Sequence, residues 1–403
     1  MNPRNAPACW RIAVLALAVC CSTAGLHAAT PGTPADAALY RQWADYMERV
    51  LPGWSAHKEY WGEDLGWQAA PTLRGLVDGY ACSGDQRWLR YLTGQVDDLM
   101  ARLKVEDGFP GWGHSLTGEA LLLEPILEFI ELAQSDPAMP AQYRRKAEQY
   151  LKAIDPALIT KWDAMGRWKE THAGCGTYVE GITLPHNKNA HVGLMLLAAA
   201  RVTPSPERRA DYLAKAVRLA RRWRKFLKVE DDHYIWHYWD AAGRWDYDEK
   251  GKSRHWTSLE HRGYGASDTR FVAAAYDHGI VFDRSDVEMH CRTFLEEIWN
   301  GDSESPAYRP LGWFNPQYDE STVFVGLARF DPKILELYGK QAAQKPQHWH
   351  GMYRVPAYLL AARRGVGFER RRADLVREAL SAGLREKLGP GAGGTQDPGL
   401  LVR

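Results

Sequence analysis

Two polar segments, each running into a strongly apolar stretch, carry the residue types best suited to chemistry. The first contains His186, Asn187, Lys188, Asn189 and His191. Amide, imidazole and ammonium groups are poor core material, because each needs a partner when it is buried. Either asparagine can instead be the N-cap of the helix that follows, so capping remains an alternative. We expect at least one of the two histidines to take part in a functional site.

The second segment adds carboxylate, imidazole, guanidinium and phenol groups. These residues are Arg254, Glu260, His261, Arg262 and Tyr264. The apolar stretch that follows begins near Ser267, and Ser267 or Asp268 can cap it, which leaves the preceding residues for other work. An ion pair between Glu260 and Arg262 that merely holds the loop is the structural alternative.

Aromatic and polar residues recur at other places where a loop enters an apolar stretch. The chain contains 17 Trp and 19 Tyr, many of them in loops beside Gly, Asp and His. Aromatic rings in loops stack on sugar rings, although they also fix loops to a core. Further candidates for substrate contact are Trp112, His114, Glu180, Trp236, His237, Tyr238, Trp313 and His350.

The apolar pattern indicates how these loops are positioned. Apolar segments such as residues 192–200, which lack a polar side, alternate with amphipathic segments that have one charged face. An inner ring of buried helices wrapped by an outer ring of amphipathic ones fits this alternation. We therefore predict an all-α fold, an (α/α) toroid of about six or seven helical hairpins. Its active cleft would be formed by loops at the N-termini of the inner helices, where exposed N–H groups favour anions.

Strand signals are weak. We predict one short hairpin, in which residues 234–238 pair with residues 245–247 across a turn at Gly243. In the toroid, the inner helices that follow the two polar segments are predicted to begin at His191 and Ser267.

The ends of the chain indicate export. Residues 1–29 read as a signal peptide, with basic residues, a short apolar region and small residues before Thr30. We expect the toroid to span residues 30–388, a disordered tail to span 389–403, and the protein to be periplasmic or secreted. Three cysteines remain after cleavage, which is not a disulfide framework, although one bridge plus a free thiol is possible.

Charge and spacing exclude several classes of partner and cofactor. The net charge of +1 gives no reason to expect nucleic-acid binding, and no membrane contact is expected after signal cleavage. His348 with His350, and Glu170 with His172, each lack a third ligand at a standard spacing. We therefore expect no catalytic metal and no cofactor. The oligomeric state is open.

The polar inventory suits proton removal beside a carboxylate. In a uronic acid polymer the C5 proton is weakly acidic, so the neighbouring carboxylate must be neutralised while a base removes the proton. Asn189, His191 and Arg262 can neutralise that charge, and Tyr264 can act as base and acid. An acidic polysaccharide or oligosaccharide is then the expected substrate.

This order of residues in a secreted toroid resembles the polysaccharide lyases that act on alginate and glucuronan, and is similar to polysaccharide lyase family 38. The resemblance implies β-elimination, with Tyr264 as base and acid and Tyr238 as its rival. It implies that four residues neutralise the substrate carboxylate. These are Asn189, His191, Glu260 and Arg262.

Other functions remain open at this point. A glycoside hydrolase on the same toroid would use two carboxylates, with candidates Glu170, Glu180, Asp240 and Glu260. A uronate C5-epimerase would share the proton abstraction. A periplasmic glycan-binding protein would account for the tryptophans but not for the concentration of His, Arg, Tyr and Glu.

Overall fold

The computed structural model describes residues 33–53, 59–171, 174–255, 262–309, 324–344, 351–363, 374–376 and 384–388. Glu260, His261, Trp313 and His350 lie outside these ranges, as do the expected signal peptide and tail. Within them the chain is mostly helical, with three small antiparallel sheets. The predicted (α/α) toroid is confirmed.

The helices alternate between an inner and an outer layer. They are α1 (Pro34–Val50), α2 (Gly62–Ser83), α3 (Gln86–Ala101), α4 (Leu116–Ser135), α5 (Ala141–Ala153), α6 (Lys161–Ala164), α7 (His186–Val202), α8 (Pro206–Phe226), α9 (Arg262–Asp277), α10 (Arg284–Arg292), α11 (Pro332–Gln344) and α12 (Gly351–Arg363), followed by a last turn at Leu384–Leu388. Single turns of 3-10 or π-helix occur at Leu51–Gly53, Ile154–Ile159, Arg244–Asp246, Thr293–Ile298 and Val325–Leu327.

The inner elements pack in a closed order. α12 contacts α2, α2 contacts α4, α4 contacts α7, α7 contacts α9, and α9 contacts the turn at Val325–Leu327. α11 then joins that turn to α12. The outer helices α1, α3, α5, α8 and α10 pack on α12, α2, α4, α7 and α9 in turn. The circle therefore closes between the first and the last inner helix.

Burial follows the apolar pattern. Every residue of α7 from Val192 to Ala200 is buried, which confirms that this helix has no wet side. Outer helices bury one face only; in α3 the buried residues include Trp88, Leu92 and Val96. Side chains cap the starts of α1, α3, α4, α8 and α10, as Asp85 does for Arg87 in α3. The core thus lies between the two rings.

Seven short strands form the three sheets. They are β1 (Lys104–Glu106), β2 (Phe109–Gly111), β3 (Trp168–Glu170), β4 (Gly176–Glu180), β5 (Ile182–Thr183), β6 (Lys228–Glu230) and β7 (His233–Ile235). The β1–β2 and β6–β7 hairpins repeat the sequence Leu-Lys-Val-Glu-Asp, at residues 103–107 and 227–231. Their registers also match, because Lys104 pairs with Gly111 and Lys228 pairs with Ile235.

The predicted hairpin across Gly243 was wrong. β7 instead pairs with β6, which precedes it, and Arg244–Asp246 forms a 3-10 turn. The buried Asp246 carboxylate stabilises that turn by accepting hydrogen bonds from the N–H groups of Ala242, Gly243 and Thr183. A carboxylate that ties three N–H groups together favours a turn over a ladder.

Two helix starts were also placed too late. α7 begins at His186 and α9 begins at Arg262, so Asp268 is a buried residue inside α9 and not its cap. Cys82, Cys175 and Cys291 are buried free thiols. A search of the described residues for a helix long and apolar enough to cross a membrane finds none.

Candidate active site

The first turns of α2 and α7 are joined by an ion pair. Lys188 Nζ lies 2.8 Å from Glu63 Oε2, and Glu63 Oε1 accepts a hydrogen bond of 3.0 Å from Trp67 Nε1. Because α4 lies between α2 and α7 in the inner ring, this pair passes across the start of α4. Both side chains keep part of their surface exposed, at 23% for Lys188 and 32% for Glu63. The ion pair therefore marks an accessible polar mouth.

A second carboxylate faces the same mouth from the end of β4. Glu180 Oε1 accepts a hydrogen bond of 2.9 Å from the backbone N–H of Leu116, the first residue of α4. Burial raises the pKa of Glu180, and the nearby charge of Glu63 also raises it, whereas Arg167 and Lys188 act in the opposite direction. Two carboxylates with different surroundings, Glu63 and Glu180, thus lie at the start of α4.

Close packing of two helices fixes this arrangement. A Cβ at Gly66 would lie 2.5 Å from the backbone of Gly118, and a Cβ at Gly118 would lie 2.4 Å from the backbone oxygen of Gly62. Only glycine permits backbones to approach so closely. The pair holds the first turn of α2, and with it Glu63, against the start of α4.

A network of charged side chains, centred on the buried Glu124, crosses the interior of the ring. Glu124 on α4 binds Arg74 on α2 at 2.9 Å and Arg270 on α9 at 2.6 Å, although α4 and α9 are separated by α7. Arg74 also pairs with Glu128 at 2.8 Å. Buried charges need partners of this kind. The network ties three inner helices together.

His191 lies close to this network. Its ring meets Trp67 edge-on at 5.3 Å, and neither ring nitrogen has a hydrogen-bond partner within the described part of the chain. Burial lowers the pKa of His191 to about 3, with Arg270 and Arg74 adding to the effect. A neutral, buried imidazole of this kind does not neutralise a substrate carboxylate at the surface.

The two asparagines of the first polar segment are buried. Asn189 is buried and bonds the Leu184 carbonyl at 2.7 Å and the Tyr178 N–H at 3.2 Å, so its amide joins α7 to β4. Asn187 is 1% exposed. The predicted roles of Asn187 and Asn189 in contacting substrate are corrected on this ground.

His186 belongs to a buried cluster behind the mouth. Its Nε2 lies 3.0 Å from Asp240 Oδ2, and its Nδ1 lies 3.2 Å from Arg222. Burial, followed by the charge of Arg222, lowers the pKa of His186 to about 4. The backbone N–H of His186 also bonds the Tyr238 carbonyl at 3.1 Å. The cluster holds the 236–240 segment over the start of α7, so His186 is a positioning residue and not a substrate contact.

Two predicted sugar-stacking residues are core residues. Trp112 and Trp236 are 0% exposed, and Trp112 Nε1 donates to the Leu99 carbonyl at 2.7 Å. An aromatic ring without exposed surface cannot stack on a sugar, so this prediction is corrected. His114 is half-buried and its Nε2 lies 2.9 Å from the Glu106 carbonyl oxygen.

Aromatic side chains lie on the other side of the mouth. The ring centroids of Tyr238 and Tyr264 are 5.4 Å apart, and His255 lies 5.9 Å from Tyr238. Burial, followed by the charge of Lys188, lowers the pKa of His255. The Tyr238 carbonyl accepts a hydrogen bond from the N–H of His186, which begins the helix that carries Lys188. Tyr264 is 41% exposed. The structure thus brings together the two tyrosines that the sequence named as rivals, and their roles stay a prediction.

The remaining predicted contacts lie around this side. His237 Nδ1 is 3.6 Å from Asp240 Oδ1, and the exposed Arg254 donates to the Trp245 carbonyl at 3.4 Å. Arg262 is the first residue of α9. Neither His237 nor Arg254 has a described bond to Glu63 or Glu180.

Sequence reasoning missed the inner polar stripe. Glu63, Trp67 and Arg74 follow one another at helical spacing on α2, and Glu124 and Glu128 do so on α4. Charged residues spaced three, four or seven apart inside an otherwise apolar helix face a shared interior. That periodicity was available as a signal.

Similarity to known proteins is found at the level of structure and not of sequence. No protein-family profile matches the chain, and no curated protein does. Among solved structures, the α-1,6-mannanase GH76A from Salegentibacter sp. HEL1_6 matches with 12% identity over 77% of this chain and 89% of that chain, at a TM-score of 0.44. The glycoside hydrolase family 76 mannosidase Bt3792 from Bacteroides thetaiotaomicron VPI-5482 matches with 12% identity over 80% and 98%, at a TM-score of 0.47.

An inactive GH76A variant with two aspartates replaced, solved with α-1,6-mannotetrose, matches with 12% identity over 84% and 98%, at a TM-score of 0.47. The predicted lyase is corrected, because these similar structures are glycoside hydrolases and correspond to the alternative named above. The burial of Asn189 and His191 also removes two parts of the predicted lyase site. The bound oligosaccharide gives no support for an acidic substrate.

Proposed function

We propose that the protein is a glycoside hydrolase whose reacting carboxylates are Glu180 and Glu63. Glycoside hydrolysis requires one protonated carboxyl group to donate to the leaving oxygen and one carboxylate to assist attack at the sugar. The observation that carries the proposal is that both side chains belong to residues held at the start of α4: Glu180 accepts a hydrogen bond from the Leu116 N–H, and the backbone of Glu63 packs against Gly118. No cofactor is needed for this chemistry.

Glu180 is assigned the role of general acid. Burial raises its pKa, which keeps a proton available at higher pH than for an exposed glutamate. Glu63 is assigned the second role because hydrogen bonds from Lys188 and Trp67 hold its two carboxylate oxygens in place. Two carboxyl groups whose surroundings differ in this way are suited to the acid and the base roles.

The substrate is proposed to be a neutral or weakly charged polysaccharide. The aromatic side of the mouth, formed by Tyr238, Tyr264 and His255, offers surface for sugar rings. The α-1,6-linked mannan of the structural neighbours is one member of the panel to be tested, beside other neutral glycans and uronate polymers.

New reducing ends are the direct test. The purified chain is incubated with the panel, and we expect at least one glycan to be cleaved with release of reducing ends. Glu180→Gln should reduce that rate by about 10²–10⁴-fold, because a positioned general acid contributes that much. The exposed Glu249→Gln, a matched exchange away from the mouth, should leave the rate unchanged. Cleavage that is equally fast in Glu180→Gln would contradict the assignment of the acid.

Substrates with different leaving groups distinguish the loss of the general acid from a loss of folding. An aryl glycoside with an acidic leaving phenol does not need a proton donor, so Glu180→Gln should retain most activity on it while losing activity on the natural glycan. Glu63→Gln should lose activity on both. A uniform loss in Glu180→Gln would argue for a structural defect.

The pH profile gives a further prediction. Glu180 acts only when protonated, so activity is lost as the pH rises through its raised pKa. Lys188 lowers that pKa, and removal of its charge in Lys188→Met should move the alkaline limb to higher pH. The measurement is kcat/KM against pH for both proteins. A limb that moves to lower pH in the variant would contradict the role of Glu180.

A further inference from the structure

The β6–β7 hairpin carries a buried histidine with unsatisfied nitrogens. His233 is 5% exposed, and neither ring nitrogen has a hydrogen-bond partner among the described residues. An unbonded polar group in such a position costs free energy. The ring therefore needs a partner that the hydrogen-bond pattern does not supply.

Carboxylates surround this ring on both sides. Nδ1 lies 3.6 Å from Glu296 Oε2 and 3.9 Å from Asp232 Oδ1. Nε2 lies 3.7 Å from Glu297 Oε1. These separations are too long for hydrogen bonds. They are close to the spacing of atoms that share one metal ion, since ligands about 2.1 Å from a tetrahedral zinc lie roughly 3.4 Å apart.

We propose that Asp232, His233 and Glu296 bind a divalent metal ion of the zinc class, which joins the β6–β7 hairpin to the Thr293–Ile298 turn. One ligand atom from each residue lies within 4.8 Å of the other two. The two carboxylates are 63% and 49% exposed, so small side-chain movements can close the cluster around an ion. A mixed nitrogen and oxygen ligand set suits zinc.

Neighbouring side chains are placed to orient the proposed metal ligands. A metal-bound histidine donates its second N–H to a carboxylate, and Glu297 faces Nε2 for that purpose. Arg292 Nε lies 3.1 Å from Asp232 Oδ2, which orients that carboxylate and leaves Oδ1 toward His233. The ligands at residues 232, 233 and 296 have no standard metal spacing, so the sequence did not indicate them.

The repeated hairpin provides a control within the molecule. At the positions of Asp232 and His233, the β1–β2 hairpin has Gly108 and Phe109. His233→Phe therefore installs the residue that the same hairpin register accepts elsewhere. Glu296→Gln changes a partly exposed ligand with little risk to folding, and Glu230→Gln alters the same hairpin outside the cluster.

The test is direct zinc binding by the full mature chain. After treatment with a chelator, calorimetric titration with Zn²⁺ should show one site per chain, and the thermal midpoint should rise with added zinc. His233→Phe and Glu296→Gln should abolish that site, and Glu230→Gln should keep it. Glu297→Gln should weaken binding by about 10–100-fold, because it removes the support of a ligand and not the ligand itself.

Three results would overturn the proposal. One is the absence of stoichiometric zinc binding in the wild-type chain. Another is a site that persists unchanged in both His233→Phe and Glu296→Gln, which would place the ion elsewhere. The third is a thermal midpoint that responds to acid through His233 but not to zinc, which would make the cluster a plain ion pair.

Discussion

The β1–β2 and β6–β7 hairpins share a sequence and a register but are held by different chemistry. In the first, Lys161 Nζ donates to the Pro110 carbonyl at 2.6 Å and pairs with Glu119 at 2.5 Å, both side chains being 1% exposed. In the second, the Thr293 hydroxyl accepts from the Tyr234 N–H at 3.1 Å and donates to its carbonyl at 2.6 Å.

The comparison distinguishes the properties of a hairpin that depend on its own short sequence from those that depend on contacts with distant residues. Leu-Lys-Val-Glu-Asp is followed in both cases by a strand and a fully buried tryptophan, Trp112 or Trp236. The anchors come from distant parts of the chain, and one is charged while the other is neutral. Local sequence thus determines the hairpin, and tertiary contacts determine how firmly and by which forces it is fixed.

Removing the charged contact between Lys161 and Glu119, which holds the β1–β2 hairpin, should have the largest effect on stability. Burial lowers the pKa of Lys161 and raises the pKa of Glu119, and each charge opposes the shift of the other. Lys161→Met leaves the Glu119 carboxylate buried without its partner and should reduce the free energy of unfolding by about 3–5 kcal/mol.

Urea denaturation of the single variant and of Lys161→Met/Glu119→Gln measures this effect. The double variant should recover much of the loss, since it leaves no unpaired charge. A single variant as stable as the wild type would show that the charged contact does not stabilise the fold.

Removing the neutral contact between the Thr293 hydroxyl and the backbone of Tyr234 should reduce stability by less. Thr293→Val leaves both backbone groups of Tyr234 without this partner and should lower the unfolding free energy by about 1–3 kcal/mol. Thr160→Val, which removes a hydroxyl that donates to the Pro156 carbonyl at 2.8 Å near the surface, is the matched control. It should stay within about 0.5 kcal/mol of the wild type. Equal losses in the two variants would remove the distinction.

The equivalent tryptophans allow a finer comparison. Trp112 Nε1 donates to the Leu99 carbonyl, whereas Trp236 Nε1 has no partner in the described ranges. Trp112→Phe should therefore be more destabilising than Trp236→Phe by about 1 kcal/mol, the net contribution of one hydrogen bond. Chemical denaturation of both variants measures the difference, and the reverse order would contradict it.

The exposed valines should show the smallest effect. Val105 and Val229 are 73% and 62% exposed at the same hairpin position. Val105→Thr and Val229→Thr should each change stability by less than about 0.5 kcal/mol. The buried Val96→Thr is the contrasting control and should be clearly destabilised, because it places a hydroxyl in the core. Thermal midpoints suffice for this test.

Much of the fold was predictable because the residues buried in the structure follow the helical spacing of apolar residues in the sequence. The alternation of fully apolar and amphipathic segments indicated two rings of helices, and the predicted absence of a polar side in residues 192–200 matches their complete burial. The starts of α7 and α9 were misplaced because polar residues suggested a loop. Asn189 in fact satisfies its amide within the first turn of α7.

The site was harder to predict for a geometric reason. Glu63 and Lys188 lie 125 residues apart, and only ring closure brings them together. The sequence showed that polar residues gather at inner-helix starts, but it did not show which side chains point to the mouth. Trp112 and Trp236 had the residue type expected of a sugar contact, and packing removed them from solvent.

The contact between α2 and α12 has a consequence for synthesis. The inner circle closes only when Gly351–Arg363 reaches Gly62–Ser83, and Arg363 then donates to the Cys82 carbonyl at 2.6 Å. A nascent chain that ends before α12 leaves one apolar flank of α2 uncovered. That flank is exposed until nearly the whole toroid has left the ribosome, which is the interval in which such surfaces associate wrongly. The seam between the first and last inner helices is thus where chaperones or slow translation would matter most for yield.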